Sequence, residues 1–130
     1  MLKIIQKILF ISFFVVLLIN HAVAEDQKKF YDPVLKKLEG WTIKVDPKLL
    51  EGEHKKFKSD VFSALANHLQ RIKYILTEER VKELQQLPIW LDFHYEPLGN
   101  MQYHPGETWL RANRHDPRLV KHVHIPRAKA

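Results

Sequence analysis

The 130-residue chain has no cysteine, only four glycines and, beyond its first 24 residues, only two serines, Ser59 and Ser63. Without cysteine there is no disulfide framework, no thiolate nucleophile and no route to lipid attachment through a cysteine. Ser59 and Ser63 fall in a stretch of helical periodicity, and neither sits in a G-x-S-x-G elbow, so a serine nucleophile lacks its strained turn. Gly40, Gly52, Gly99 and Gly106 stand singly, so no glycine-rich loop can cradle a phosphate. Long blocks of like charge are missing too. Lys28-Lys29, Lys36-Lys37 and Lys55-Lys56 are scattered among acids and fall short of the about five or six like charges of a polybasic tail. The formal net charge of +6 therefore reads as a solvated basic surface, and no nucleic-acid partner is expected.

One long apolar run is present, at the start: MLKIIQKILFISFFVVLLINHAVA. Lys3 and Lys7 precede an apolar stretch from Ile8 to Ile19, and Ala22-Val23-Ala24 follows. That is a charged n-region, a short h-region and an A-x-A cleavage site. The apolar core of about 12 residues is shorter than the roughly 20 that span a bilayer. The expectation is export with cleavage after Ala24, no stable membrane anchor, and a secreted or periplasmic protein. Cleavage would remove Lys3 and Lys7, lower the formal charge from +6 to +4, and leave enough chain for one small domain with a modest core.

Three regions follow: a signal peptide at 1–24, a polar lead with a short helix at 25–39, and a single α/β domain at 40–130. In FYDPVLKKLEG, Asp32-Pro33 can open a helix and Gly40 can stop it. Trp41, Ile43 and Val45 alternate with polar residues, as in a half-buried strand. Phe57, Val61, Leu65, Leu69, Ile72 and Leu76 recur every three or four residues and predict a long amphipathic helix starting near Glu53. Thr77 suits an N-cap for a second helix carrying Val81 and Leu84, ended by Pro88. Ile89, Leu91 and Phe93 then face one way while Trp90, Asp92 and His94 face the other, and Val120 to Ile125 reads as a third, edge strand closed by Pro126. The fold expected is α/β (α+β): a small mixed sheet of about three strands backed by one long helix, with a right-handed βαβ unit.

The loop between the second and third strands contains MQYHPGETWL, and a loop that dense in functional side chains is where a site is sought. Tyr103, His104 and Trp109 are the candidate ligand-binding residues. In the structural alternative, Pro105 or Gly106 starts a short helix that turns Trp109 and Leu110 inward as an anchor and leaves Arg111 and Arg114 outside. Trp41 and Trp90 read as core packing. Asp92, Glu96, Glu107 and Asp116 are the carboxylates near the loop, but four acids in a chain with 28% charged residues do not by themselves make a glycosidase pair. His94, His104, His115, His122 and His124 crowd the last quarter of the chain. His122 and His124, two apart on a strand, share a face and are the candidate metal ligands. No H-E-x-x-H spacing fixes such a site, so His104 bonded within its loop and the others exposed is the competing reading.

The order GWTIKVDPKLL, NHLQRIKYIL, LPIWLDF, MQYHPGETWL and DPRLVKHVHIP resembles the N-terminal part of a secreted bacterial metallopeptidase-like, zincin-like family. Its most specific pieces are Tyr103-His104-Pro105 with Trp109-Leu110, and Leu87-Pro88-Ile89-Trp90-Leu91. The resemblance implies zinc as cofactor and an edge strand, here His122 to Ile125, that aligns an extended peptide or pairs with a C-terminal segment. It also implies a downstream helix with H-E-x-x-H, which this sequence does not contain. No catalytic residue carries over. The expectation is an exported domain equivalent to the substrate-side part of such a protein, truncated and inactive alone; the alternative is a secreted or periplasmic metal- or small-ligand-binding module.

Overall fold

A computed structural model describes residues 30–128. The signal segment with Ala22 and Ala24, and the polar lead up to Lys29, lie outside the described residues. All the elements below belong to one compact unit, Asp32–Ala130. The fold is α/β, a five-stranded mixed sheet with helices.

The first two strands are β1 (Val34–Leu38) and β2 (Trp41–Val45), paired antiparallel with Leu38 opposite Trp41. The helix expected from FYDPVLKKLEG is thus a strand, and the sheet begins at Val34 rather than at Gly40. The reason lies in Glu39 and Gly40, whose φ values of 52° and 96° make the two-residue turn that reverses a hairpin. Gly40 ends no helix; it is the second turn residue. A Cβ there would sit 2.2 Å from Gln85 Nε2, and that side chain donates instead to Glu39 O at 3.2 Å.

Asp46 leaves β2 and caps the short α1 (Pro47–Leu50), its carboxylate accepting from Lys48 N at 2.9 Å and from Phe93 N at 3.3 Å. A 3-10 turn (Gly52–His54) leads into α2 (Lys55–Ile75), the expected long helix. Phe57, Val61, Leu65, Leu69 and Ile72 face the sheet as the periodicity requires, whereas Leu76 is the C-cap and is exposed. Thr77 caps α3 (Glu78–Gln85), which returns the chain to β3 (Ile89–Leu91). β2 and β3 run parallel, so the β2–helix–β3 unit stands as expected. Among the described residues no helix is long and apolar enough to cross a membrane.

The rest of the sheet departs from the three-strand expectation. Inside the supposed loop lie β4 (Gln102–Tyr103), α4 (Glu107–Ala112) and a 3-10 turn (Pro117–Leu119), followed by β5 (Val123–Ile125). The strand order is β1-β2-β3-β5-β4, with β5 parallel to β3 and antiparallel to β4. β5 is therefore interior and not an edge. Ile125 O accepts from Asp92 N at 3.0 Å on one side, and His122 O accepts from His104 N at 3.3 Å on the other. The His122–Ile125 backbone expected to receive a peptide or a missing segment is already paired. β4 is two residues long, too short to leave a periodic signal.

Register sorts the side chains between two faces. Ile43, Ile89 and Val123 lie side by side, as do Val45, Leu91 and Ile125, and these form the apolar face under α2. The alternate row, Lys44, Trp90 and His124, points to the opposite face.

Candidate functional site

The second face is polar yet closed. Starting from Trp90 and His124 in register, the alternation along each strand adds Asp92 just beyond β3 and His122 just before β5. His104, which follows β4, joins them because its backbone pairs with His122. The segment that leaves β4 arches over this face as α4 and the 3-10 turn, and is pinned by fully buried Leu110 and nearly buried Leu119. Beneath it Asp92, His104, His115, Asp116, His122 and His124 are all buried.

Buried polar groups persist only where they are hydrogen-bonded, and most of these are. His124, 0% exposed, holds Asp92 Oδ2 through Nε2 at 2.6 Å and faces His104 Nε2 through Nδ1 at 3.3 Å. His115 Nδ1 meets the Tyr95 hydroxyl at 2.7 Å. Ring contacts close these two pairs into a circle: His104–His124 at 5.4 Å, His124–Tyr95 at 5.5 Å, Tyr95–His115 at 5.7 Å, His115–Trp109 at 4.9 Å and Trp109–His104 at 5.9 Å, centroid to centroid. Trp109, 48% exposed, is the member through which this circle meets solvent most openly.

A second group lies beside the circle. Trp90 has Lys44 Nζ 5.4 Å and Arg118 Cζ 5.7 Å from its ring centre, within cation–π range, and the His122 ring against its edge at 5.6 Å. Arg118 is clamped by Asp116 at 2.8 to 3.1 Å and also reaches Asp32 at 2.8 Å. His122 Nδ1 donates to Val120 O at 2.7 Å, while its Nε2 is sealed from solvent without a protein partner.

Burial sets the electrostatics. It holds the His104, His115 and His122 imidazoles below the ordinary histidine range, and neighbouring positive charge adds to it: His124, His115 and His122 for His104, His124 for His115, and Lys44 for His122. For His122 the hydrogen bond to Val120 opposes that burial. Burial likewise lifts the Tyr95 phenol, helped by Asp92 and Asp116, and depresses the Lys44 ammonium, with Arg118 adding to the effect. The hydrogen bond to Asp116 raises Arg118 against its own desolvation.

The chain Asp92–His124–His104 has a defined polarity. A carboxylate accepts from His124 Nε2–H, so neutral His124 offers a bare Nδ1, which accepts from His104 Nε2–H. Neutral His104 is then left with a lone pair on Nδ1. The arrangement makes His104 a carboxylate-backed base and hydrogen-bond acceptor under an indole.

Tyr103, His104 and Trp109 were expected to act together. His104 and Trp109 do stack, with their planes 18° apart, but Tyr103 alternates to the other side of β4 and is largely exposed. Trp109 is not the inward anchor of α4; Leu110 is, because a helix starting at Gly106 turns position 110 toward the sheet. His122 and His124 do share a face, but each ring is engaged elsewhere and they do not converge on one ion. A closed zinc site needs four donors, and among the described residues no three or more His, Asp or Glu side chains are placed to hold a metal. The described residues do not fit zinc. Nor are the C-terminal histidines exposed as the competing reading held; only His94 is, paired with Glu96 at 2.8 Å.

Sequence reasoning missed Tyr95, noted His115 only as one of the five clustered histidines, and took Asp92 only as one of four acids. Asp92 was recoverable from the strand alternation that placed Trp90, but its partner His124 is set by the long-range β3–β5 pairing. No family model, curated protein or solved structure matches the chain.

Proposed function

We propose that the chain is an exported binding module, and that its site is the rim of the polar face where Trp109 covers His104. The observation that carries this reading is the Asp92–His124–His104 chain: two buried imidazoles and a carboxylate oriented to leave one acceptor, His104 Nδ1, beside a half-exposed indole. Small-ligand sites combine aromatic surface with a few convergent polar groups. The ligand class that suits it is a small planar molecule that stacks on Trp109 and donates one hydrogen bond to His104. The leader-like N-terminus supports export. The zincin-like resemblance supports the same setting, but the polar face supplies no zinc ligand set to build on.

Nicotinamide, planar and carrying an amide donor, is a suitable probe. Titrated into the protein at neutral pH, it should quench tryptophan emission saturably and shift the His104 and Trp109 side-chain NMR signals. Trp109→Ala should abolish both changes, and His68→Ala, on the exposed side of α2, should leave them intact. A non-saturable response, or one equal in Trp109→Ala, would contradict the reading.

A further inference from the structure

We propose that the segment from His104 to His122 is an acid-operated cover, closed over the polar face at neutral pH and released when its buried histidines take up protons. This goes beyond the binding reading and does not depend on it, because the cover is defined without any ligand.

Hydrogen-bond logic carries the proposal. Within the His104–His124 pair the closed arrangement has room for about one extra proton, because the 3.3 Å contact needs one bare ring nitrogen. With both rings charged, N–H would face N–H across that contact. At His122 the proton must go to Nε2, which is buried without a partner, since Nδ1–H already serves Val120 O. Of the charges facing His122, Lys44 of β2 opposes the proton and the Asp116 carboxylate, shared with Arg118 of the 3-10 turn, favours it, but burial outweighs both. Charged His115 must donate from Nδ1 to the Tyr95 hydroxyl, and it then carries its charge beside His124. On α4 the charged pair Glu107–Arg111 is joined on the outside and offers the buried rings nothing.

The directions of the shifts agree. His104, His115 and His122 all lie below the ordinary value, so in each the closed form binds protons more weakly than an open one. The closed state is then fully favoured above the free histidine range, about pH 6.5, and is lost as the pH falls. Each such histidine raises the opening equilibrium by up to about tenfold per pH unit within its window.

The strand that leads into the cover is short. β4 contributes two paired residues, and Arg114 and Lys121, at φ 58° and 57°, hold left-handed backbone at the two ends of the 115–120 segment. Among the described residues the apolar face has no comparable titrating cluster. Ile43, Val45, Ile89 and Leu91 pack on α2, so that layer should stay closed when the cover lifts.

Hydrogen exchange on the purified protein, without ligand, tests this at pH 7.5 and 5.5 after correction for intrinsic exchange. Peptides from 102–122 should open at least tenfold more at pH 5.5, while those from α2 and β2 should change less than twofold. His122→Gln, which removes one titrating group, should make the pH response of the cover shallower. Unchanged cover protection at pH 5.5, or loss of both faces together, would overturn the proposal.

Discussion

The two faces of one sheet were built by opposite rules. Under α2, side chains at alternate positions of β2, β3 and β5 are apolar, and apart from Trp41 Nε1, which donates to Leu84 O at 3.2 Å, their packing needs no partner beyond shape. On the other face, the intervening positions place Trp90 and His124 in register, and everything packed on them must meet a hydrogen-bonding requirement as well. The first face is tolerant of pH and sensitive to volume. The second is sensitive to protonation, and its cover is an irregular segment. A polar, histidine-rich layer is a poor way to stabilise a small domain, which is why the binding reading is placed there and not in the core.

The contrast can be broken most strongly from the apolar side. Leu91→Ala removes a side chain 1% exposed in the central strand and should cost about 2–5 kcal/mol, read from urea unfolding, with the same loss at pH 7.5 and 6. Gly40→Ala forces a Cβ into Gln85 at a φ of 96° and should cost about 1–3 kcal/mol, loosening the hairpin that flanks both faces. On the polar side, Asp92→Ala strips His124 Nε2–H of its acceptor and should cost about 1–3 kcal/mol, with exchange rising in the cover before α2. Smaller per group is the pH effect. Because His104, His115 and His122 are depressed in the fold, stability should be level above about pH 6.5 and decline toward pH 5.5, a slope that Leu91→Ala leaves unchanged. Smallest of all, Lys82→Ala breaks only the exposed pair with Glu78 and should shift stability by less than about 0.5 kcal/mol.

The apolar face was legible in the sequence because its signals are local. The alternation in WTIKV and the three-four spacing through α2 each lie within one element, and both elements form where expected. β1 was misread because Gly40 suits a helix stop as well as a hairpin turn, and only pairing with β2 decides between them. The polar face was half legible. His104 and Trp109 drew notice as costly loop residues, and they do meet. Tyr95, His115 and Asp92 reach the same spot through the β3–β5–β4 order, and two paired residues in β4 are enough to turn β5 from an edge into an interior strand. Pairing of Tyr103 with Val123 or of Trp90 with His124, far apart in the chain, leaves no mark in spacing or periodicity.

The histidine tautomers bear most directly on whether the polar face is one bonded network. Long-range nitrogen–proton NMR at pH 7.5 should find His122 protonated at Nδ1, and His124 and His104 protonated at Nε2, each as a single fixed tautomer. Averaged tautomers at these three residues, titrating together near the free histidine value, would show that the rings face solvent and that the network does not exist.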